Sequence, residues 1–364
     1  MGLSIAFFGS SLVSAYWNGA ATYYRGILRA LAARGHAITF FEPDAYDRQR
    51  HRDMDDPPWA RVVVYAASED GVLRALEQAA GSDALVKASG VGVFDDLLEA
   101  AVPRHTRPGA QCVFWDVDAP ATLARLHGDA RDPLRRAIPE YHHVFTYGGG
   151  EPVVQAYLQL GARACAPVYN AVDPDTHHPV APDARFTATL GFLGNRLPDR
   201  EARVEEFFLR TARLRPGARF LLGGAGWDDK PRPANVHYLG HVYTRDHNAF
   251  NCTPLAVLNI SRDSMAANGW SPATRVFEAA GAGACLISDA WEGIGDFLEP
   301  NREILVARDG DHVAWWLDNL SVERARRIGE RARQRVLREH TYAQRAAQVE
   351  ALLDRARPAV RATS

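Results

Sequence analysis

The stretch NGWSPATRVFEAAGAGACLISD, residues 268–289, reads as a helix that passes directly into a strand. Pro272 suits the first turn of a helix, where its missing N–H costs nothing, and Ser271 stands ahead of it as the expected N-cap. Gly281 and Gly283 end the helix, and Ala284–Ser288 is a short apolar run of strand type. A helix closed by glycine and followed at once by a buried strand is the repeating unit of a parallel α/β sheet.

The same alternation extends in both directions. Before residue 170, strands are expected at Leu3–Phe8, Ala37–Phe41, Val62–Tyr65, Ala84–Lys87, Gln111–Trp115 and His143–Tyr147. Helices are expected at Ala20–Arg34, Gly71–Ala80, Val93–Ala101 and Glu151–Leu160. The stretch Asn170–Asp183, with Pro174, Pro179 and Pro182, reads as a linker. The pattern then restarts, with strands at Thr187–Leu193, Arg219–Leu222, Val236–Leu239, Leu255–Ile260, Ala284–Ser288 and Ile304–Val306. Helices are expected at Asp199–Arg213, Pro272–Ala282, His312–Leu317 and Val322–Glu339.

This pattern predicts two α/β domains, residues 1–170 and 171–340, with ligand bound in a cleft between them. A break near His340–Tyr342 would let a C-terminal helix, residues 341–357, pack back on the first domain; one continuous helix is the alternative. The tail Pro358–Ser364 is expected to fray.

Bulk properties narrow the function classes. A chain of 364 residues suits two domains, and 47% hydrophobic residues suffice for two cores. A formal charge of -2 gives no general drive toward nucleic acid or an anionic membrane. No apolar run approaches membrane-spanning length, and the N-terminus lacks the basic region of a signal peptide. Cys112, Cys165, Cys252 and Cys285 are widely spaced, which favours free thiols over a zinc or redox motif. These features point to a cytoplasmic protein. Lys87 and Lys230 are the only lysines, a bias that codon usage in a high-GC genome would produce, so arginine number carries little weight.

The residues in 268–289 carry chemistry as well as fold. A helix start offers free N–H groups and a positive dipole end to a diphosphate. Thr274, Arg275 and Glu278 share a face by their spacing. Arg275 would neutralise phosphate and Glu278 would accept hydrogen bonds from ribose hydroxyls. The alternative at this point is an ordinary i,i+3 ion pair.

This segment resembles the donor-binding motif of the group 1 glycosyltransferases, which have the GT-B fold. Together with Phe-Leu-Gly-Asn-Arg (192–196) and Trp-Asp-Val-Asp-Ala-Pro (115–120), it is similar to the spore-maturation CgeB-like bacterial branch. The resemblance implies a GT-B architecture, two Rossmann-like domains facing a central cleft, and a hexosyltransferase-like activity. A nucleoside diphosphate sugar would be the co-substrate, with no further cofactor and no metal site. Glu278 would then hold the donor ribose. The broader group often carries a second glutamate eight positions earlier, where this chain has Trp270, so Asn268 or the backbone at Gly269–Ser271 would contact the sugar instead. Asn195, Arg196 and Arg200 occupy the segment where relatives place two cations against the diphosphate. His241 and Val242 match the strand end that meets the nucleobase, with an unremarkable strand-to-loop passage as the alternative. The broader group leans toward retention of configuration.

On the acceptor side, Gly19 precedes the first helix and reads either as an approach point for the donor's distal phosphate or sugar, or as part of a cap. Asp116 and Asp118 end a strand at its C-terminal edge, where open α/β sheets place function. Either would accept the acceptor hydroxyl's proton or orient the sugar, while capping of the next helix is the other role open to Asp118. The acceptor itself is not readable. A sugar-nucleotide epimerase of the same fold and a catalytically silent binding module are the rival readings.

Overall fold

The computed structural model describes residues 2–16 and 18–355. The fraying expected at Pro358–Ser364 and the last two residues of the expected 341–357 helix lie outside them. The chain divides into two compact units, one formed by Met1–Tyr169 with Tyr342–Ser364 and the other by Asn170–Thr341.

The first unit is built on seven parallel strands. They are β1 (Ser4–Phe8), β2 (Ala37–Asp44), β3 (Ala60–Ala66), β4 (Ala84–Ala88), β5 (Gln111–Asp116), β6 (His143–Thr146) and β7 (Cys165–Pro167). Their order is β3-β2-β1-β4-β5-β6-β7, so the direction of winding reverses between β1 and β4. Every residue of β4 and β5 is buried, as a parallel strand covered on both faces requires. The core packs Phe8, Phe41, Leu85, Phe114, Tyr141 and Tyr157 between sheet and helices.

The helix Tyr342–Arg355 belongs to this unit and lies against the helix Ala21–Ala33. Gly26 makes the approach possible, since a Cβ there would stand 2.2 Å from the Tyr342 ring. Glu350 then reaches His36 at 3.1 Å and pairs with Arg34.

The second unit has six parallel strands, β8 (Leu190–Leu193), β9 (Phe220–Gly223), β10 (Val236–Gly240), β11 (Ala256–Asn259), β12 (Leu286–Asp289) and β13 (Leu305–Ala307). Their order is β10-β9-β8-β11-β12-β13, with the reversal between β8 and β11. Phe192, Phe208, Leu222, Leu258 and Ile287 are among the apolar residues of its core. The expected helix at Asp199–Arg213 runs from Pro198 to Leu214 and contains a π-turn at Glu205–Leu209. Among the described residues, no helix is long and apolar enough to cross a membrane.

Several local features differ from expectation. The strand Cys165–Pro167 and the helix Ala119–Gly128 were not foreseen. The helix expected from Pro272 begins at Thr274, with Ala273 as its N-cap in extended conformation. Ser271 does not cap it, because its hydroxyl donates instead to the Gly269 carbonyl at 2.8 Å.

Candidate active site

Glu278 is the centre of the second unit's polar cluster. It lies on the helix Thr274–Gly281 with only 8% of its surface exposed. Its Oε1 is 3.7 Å from Nε2 of His177, and its Oε2 is 3.8 Å from Nη1 of Arg275. Both distances exceed a hydrogen bond, so the carboxylate is ringed by cationic and polar groups without being satisfied by them. Burial pushes the Glu278 carboxyl up, but Arg275, His177 and His247 outweigh burial and hold it below the usual value. A charged, buried carboxylate lacking donors is poised to accept hydrogen bonds from a ligand.

Local sequence explains the placement of His177. Gly281 lets the segment after Asn170 lie against the helix; a Cβ there would stand 2.5 Å from Val172 Cγ2 and 3.0 Å from the His177 carbonyl. His247 opens the helix His247–Cys252, and its Nε2 lies 3.1 Å from the Val242 carbonyl. That carbonyl only accepts, so Nε2 carries the proton and Nδ1 is left as a lone pair. Nδ1 is buried without a partner among the described residues. Burial, with the Arg275 charge adding to it, drives the His247 imidazole down to about 4.

Arg200 joins Arg275 as the second cation of the cluster. Burial, with the neighbouring Arg275 charge adding to it, lowers the Arg200 guanidinium to about 10. Nε of Arg200 and both Nε and Nη1 of Arg275 are buried with no hydrogen-bond partner among the described residues. Two close guanidiniums with N–H groups to spare make a site for an anion of more than one charge.

Arg196 behaves differently, its guanidinium being engaged by carboxylates. Its guanidinium grips Glu201 through two bonds of 2.7 Å and Asp229 at 2.9 Å. These carboxylates neutralise it and fill its fork, leaving it as a fastening of the β8 loop. Asn195 is exposed and fastens the same loop, accepting from the Ala225 amide at 2.9 Å, while its carbonyl receives Arg200 Nη2. Arg203, on the same helix as Arg200, donates to the fully buried Asp289 at 2.6 Å.

The turn before the helix is held open in an uncommon conformation. Asn268 ends the helix Asp263–Asn268, Gly269 has φ +67°, and Trp270 has φ +39°. A positive φ at tryptophan is strained, and its surroundings fix it. The Trp270 amide donates to the Glu292 carbonyl at 2.6 Å and its indole to Asp296 at 2.7 Å. The ring lies over Gly293, where a Cβ would come within 2.3 Å of it. Ser271 is buried and Thr274 half-buried at the helix start. Elsewhere in the unit His241 is exposed, its ring edge-on to Tyr243 at 4.8 Å, and Val242 is buried with its carbonyl already receiving His247.

In the first unit, Asp116 is fully buried at the end of β5. Its Oδ1 accepts from Ser89 at 2.7 Å, Thr122 at 2.9 Å and the Asp118 amide at 3.0 Å; its Oδ2 accepts from Tyr157 at 2.5 Å. With four donors and no open surface, Asp116 anchors the C-terminal edge of the sheet. Asp118 is half-buried at the N-cap position of the helix Ala119–Gly128 but makes no side-chain cap hydrogen bond. Gly19 is exposed ahead of the helix Ala21–Ala33, whose N-cap is Ala20. A Cβ at Gly19 would meet no protein atom within 4 Å. Neither capping nor packing asks for glycine there.

Residues 200–351 match a family described as glycosyl transferase-like. The whole chain has the GT-B fold, as three solved structures illustrate. Sucrose-phosphate synthase from Thermosynechococcus elongatus is 14% identical, with 97% of this chain and 98% of that one covered and a TM-score of 0.69. Anabaena Alr3699/HepE, in complex with UDP and glucose, is 13% identical, with 97% and 100% covered and a TM-score of 0.67. The E. coli trehalose-6-phosphate protein bound with UDP-2-fluoro glucose is 12% identical, with 96% and 98% covered and a TM-score of 0.65. No curated protein sequence matches the chain.

The cluster around Glu278 contains two residues that the sequence did not single out, His177 and His247. They stand 101 and 31 positions before Glu278, with no motif spacing to connect them. The one available signal was a histidine in the proline-bearing segment Asn170–Asp183, close in sequence to the restart of the α/β pattern.

Proposed function

We propose that this GT-B protein transfers a glycosyl group from a nucleoside diphosphate sugar to an acceptor hydroxyl, with Glu278, Arg275 and Arg200 as the core of the donor grip. The observation that carries this reading is the state of Glu278, a charged and buried carboxylate with no hydrogen-bond donor among the described residues. A ribose diol supplies two such donors at once. The unpartnered nitrogens of Arg275 and Arg200 supply the complementary requirement, an anion that fills them.

In this reading the bond between sugar C1 and the diphosphate oxygen breaks with its electron pair moving onto the diphosphate. The acceptor oxygen forms the new bond to C1 and gives up its proton to the departing diphosphate oxygen, which carries the electron pair of the broken bond. Arg200, Arg275 and the backbone amides ahead of Thr274 stabilise the charge that develops on the leaving group, so no step is routed through a cation. Low exposure strengthens these interactions relative to water. Trp270, locked over Gly293, sets the sugar-side wall, with Asn268 and the Gly269–Ser271 backbone as polar contacts. The motifs shared with the CgeB-like branch support placement there, and the broader group's chemistry favours retention.

The relatives in complex with UDP, UDP and glucose, or UDP-2-fluoro glucose make uridine nucleotides the first to test. Titration of the full-length chain with UDP, followed by calorimetry, should give one binding event per chain. Failure of UDP, GDP, ADP, CDP and TDP alike to bind would overturn the proposal.

A further inference from the structure

Three potential ligand atoms converge in the second unit. One ring nitrogen each from His177 and His247 and one carboxylate oxygen from Glu278 all lie within 4.8 Å of one another. Of these, His177 Nε2 and Glu278 Oε1 are 3.7 Å apart. Ligands held about 2.1 Å from a tetrahedral zinc ion stand roughly 3.4 Å from each other. The 3.7 Å separation is close to that spacing and too long for a finished hydrogen bond, and the third atom lies within 4.8 Å of both.

Orientation favours the same conclusion. The Val242 carbonyl holds the His247 Nε2 proton at 3.1 Å, which leaves the lone pair on Nδ1, a buried atom without a partner. Metal-bound histidines are held in this way, with the far N–H donating to a backbone carbonyl. His177 and Glu278 are themselves buried, so the three donors are fixed by packing.

Two imidazoles and one carboxylate select the metal. Magnesium and calcium require six or more oxygen ligands, whereas zinc takes four ligands and prefers nitrogen. Arg275 faces Oε2, the other oxygen of Glu278, at 3.8 Å. Its charge raises the cost of any cation here, which further disfavours weakly held alkaline-earth ions.

We propose that His177, His247 and Glu278 form a binding site for one divalent cation of the zinc class, with a fourth position open to water or a ligand oxygen. The site shares Glu278 with the donor reading but does not rest on it.

The test is calorimetric titration of the untagged, chelator-stripped full-length chain with zinc in the absence of nucleotide, with magnesium run in parallel. One zinc per chain is expected, with affinity reduced on the order of tenfold or more in His177→Ala and in His247→Ala. Magnesium should give no binding. Cobalt in place of zinc should give the visible absorption of a four-coordinate ion in the parent only. Thermal melts of each metal-free variant control for folding, and zinc should raise the melting temperature of the parent alone. Zinc binding that is absent, or equal in parent and both variants, would overturn the proposal. UDP titrated with chelator present reports separately on the donor reading, so either can fail while the other stands.

Discussion

Arg275 and Glu278 share one face of the helix Thr274–Gly281, with Nη1 and Oε2 3.8 Å apart. An i,i+3 pair on an exposed helix face would close to a hydrogen bond or splay into water. This pair does neither: both side chains are mostly enclosed, and Arg275 keeps Nε and Nη1 unpartnered. The charges stabilise one another across a gap that a ligand can complete from both sides. That relationship turns an ambiguous pair of letters in the sequence into a candidate donor grip.

If Glu278 holds the ribose diol, the ligand's hydroxyls and the carboxylate must be coupled. Glu278→Ala should weaken UDP by about 10- to 100-fold, in line with about 1.5–3 kcal/mol for hydrogen bonds to a charged group. A 2′,3′-dideoxy analogue should show the same loss against the parent and almost none against the variant. Equilibrium titration of the four combinations checks this, and independent losses would remove the ribose contact.

Arg200 and Arg275, with their unpartnered nitrogens, should read the diphosphate and ignore the nucleoside. Arg200→Gln and Arg275→Gln are expected to weaken UDP by on the order of tenfold or more while changing uridine affinity little. Arg196→Gln should leave UDP binding within about twofold, because Arg196 is occupied by Glu201 and Asp229. Competition binding with UDP, UMP and uridine separates the cases.

His247 gives the fold a signature in pH. Its imidazole is lowered from 6.5 to about 4, with burial the main cause, so between those values the unfolded chain binds the extra proton. Stability from this group is therefore complete above pH 6.5 and is lost as pH falls toward 4. At about 1.4 kcal/mol per pH unit the loss is of the order of 3 kcal/mol. Urea denaturation across this range should show the slope in the parent, and a shallower one in His247→Gln.

Asp116 should prove structural. In Asp116→Asn one oxygen becomes a donor and meets hydroxyls that were themselves donating, so stability should fall by about 1–3 kcal/mol. Chemical denaturation measures the loss, and nucleotide affinity in the second unit should be unchanged.

Most of the sheet was readable because parallel strands buried on both faces appear as unbroken apolar runs, such as Ala84–Lys87 and Gln111–Trp115. The strand Cys165–Pro167 escaped because it is an edge of three half-buried residues, too short to carry a period. Ser271 has the chemistry of an N-cap, yet the turn through Gly269 and Trp270 redirects its hydroxyl to the Gly269 carbonyl. Arg196 and Arg200 looked equivalent as letters, and only tertiary proximity to Glu201 and Asp229 separates them. Glu278 was found from its helical spacing to Arg275. Its histidine neighbours were not, since close packing at Gly281 brings His177 to it across a long stretch of chain.

The most direct test of the donor grip is thermal protection by a panel of nucleoside diphosphates and their sugars, measured on the parent and on Glu278→Ala. A saturating cognate ligand at about a hundred times its Kd should add about 2.7 kcal/mol and raise the melting temperature of the parent. The account predicts a clear shift with at least one nucleotide, and a shift that collapses in Glu278→Ala. No shift with any nucleotide, or an equal shift in both proteins, would contradict it.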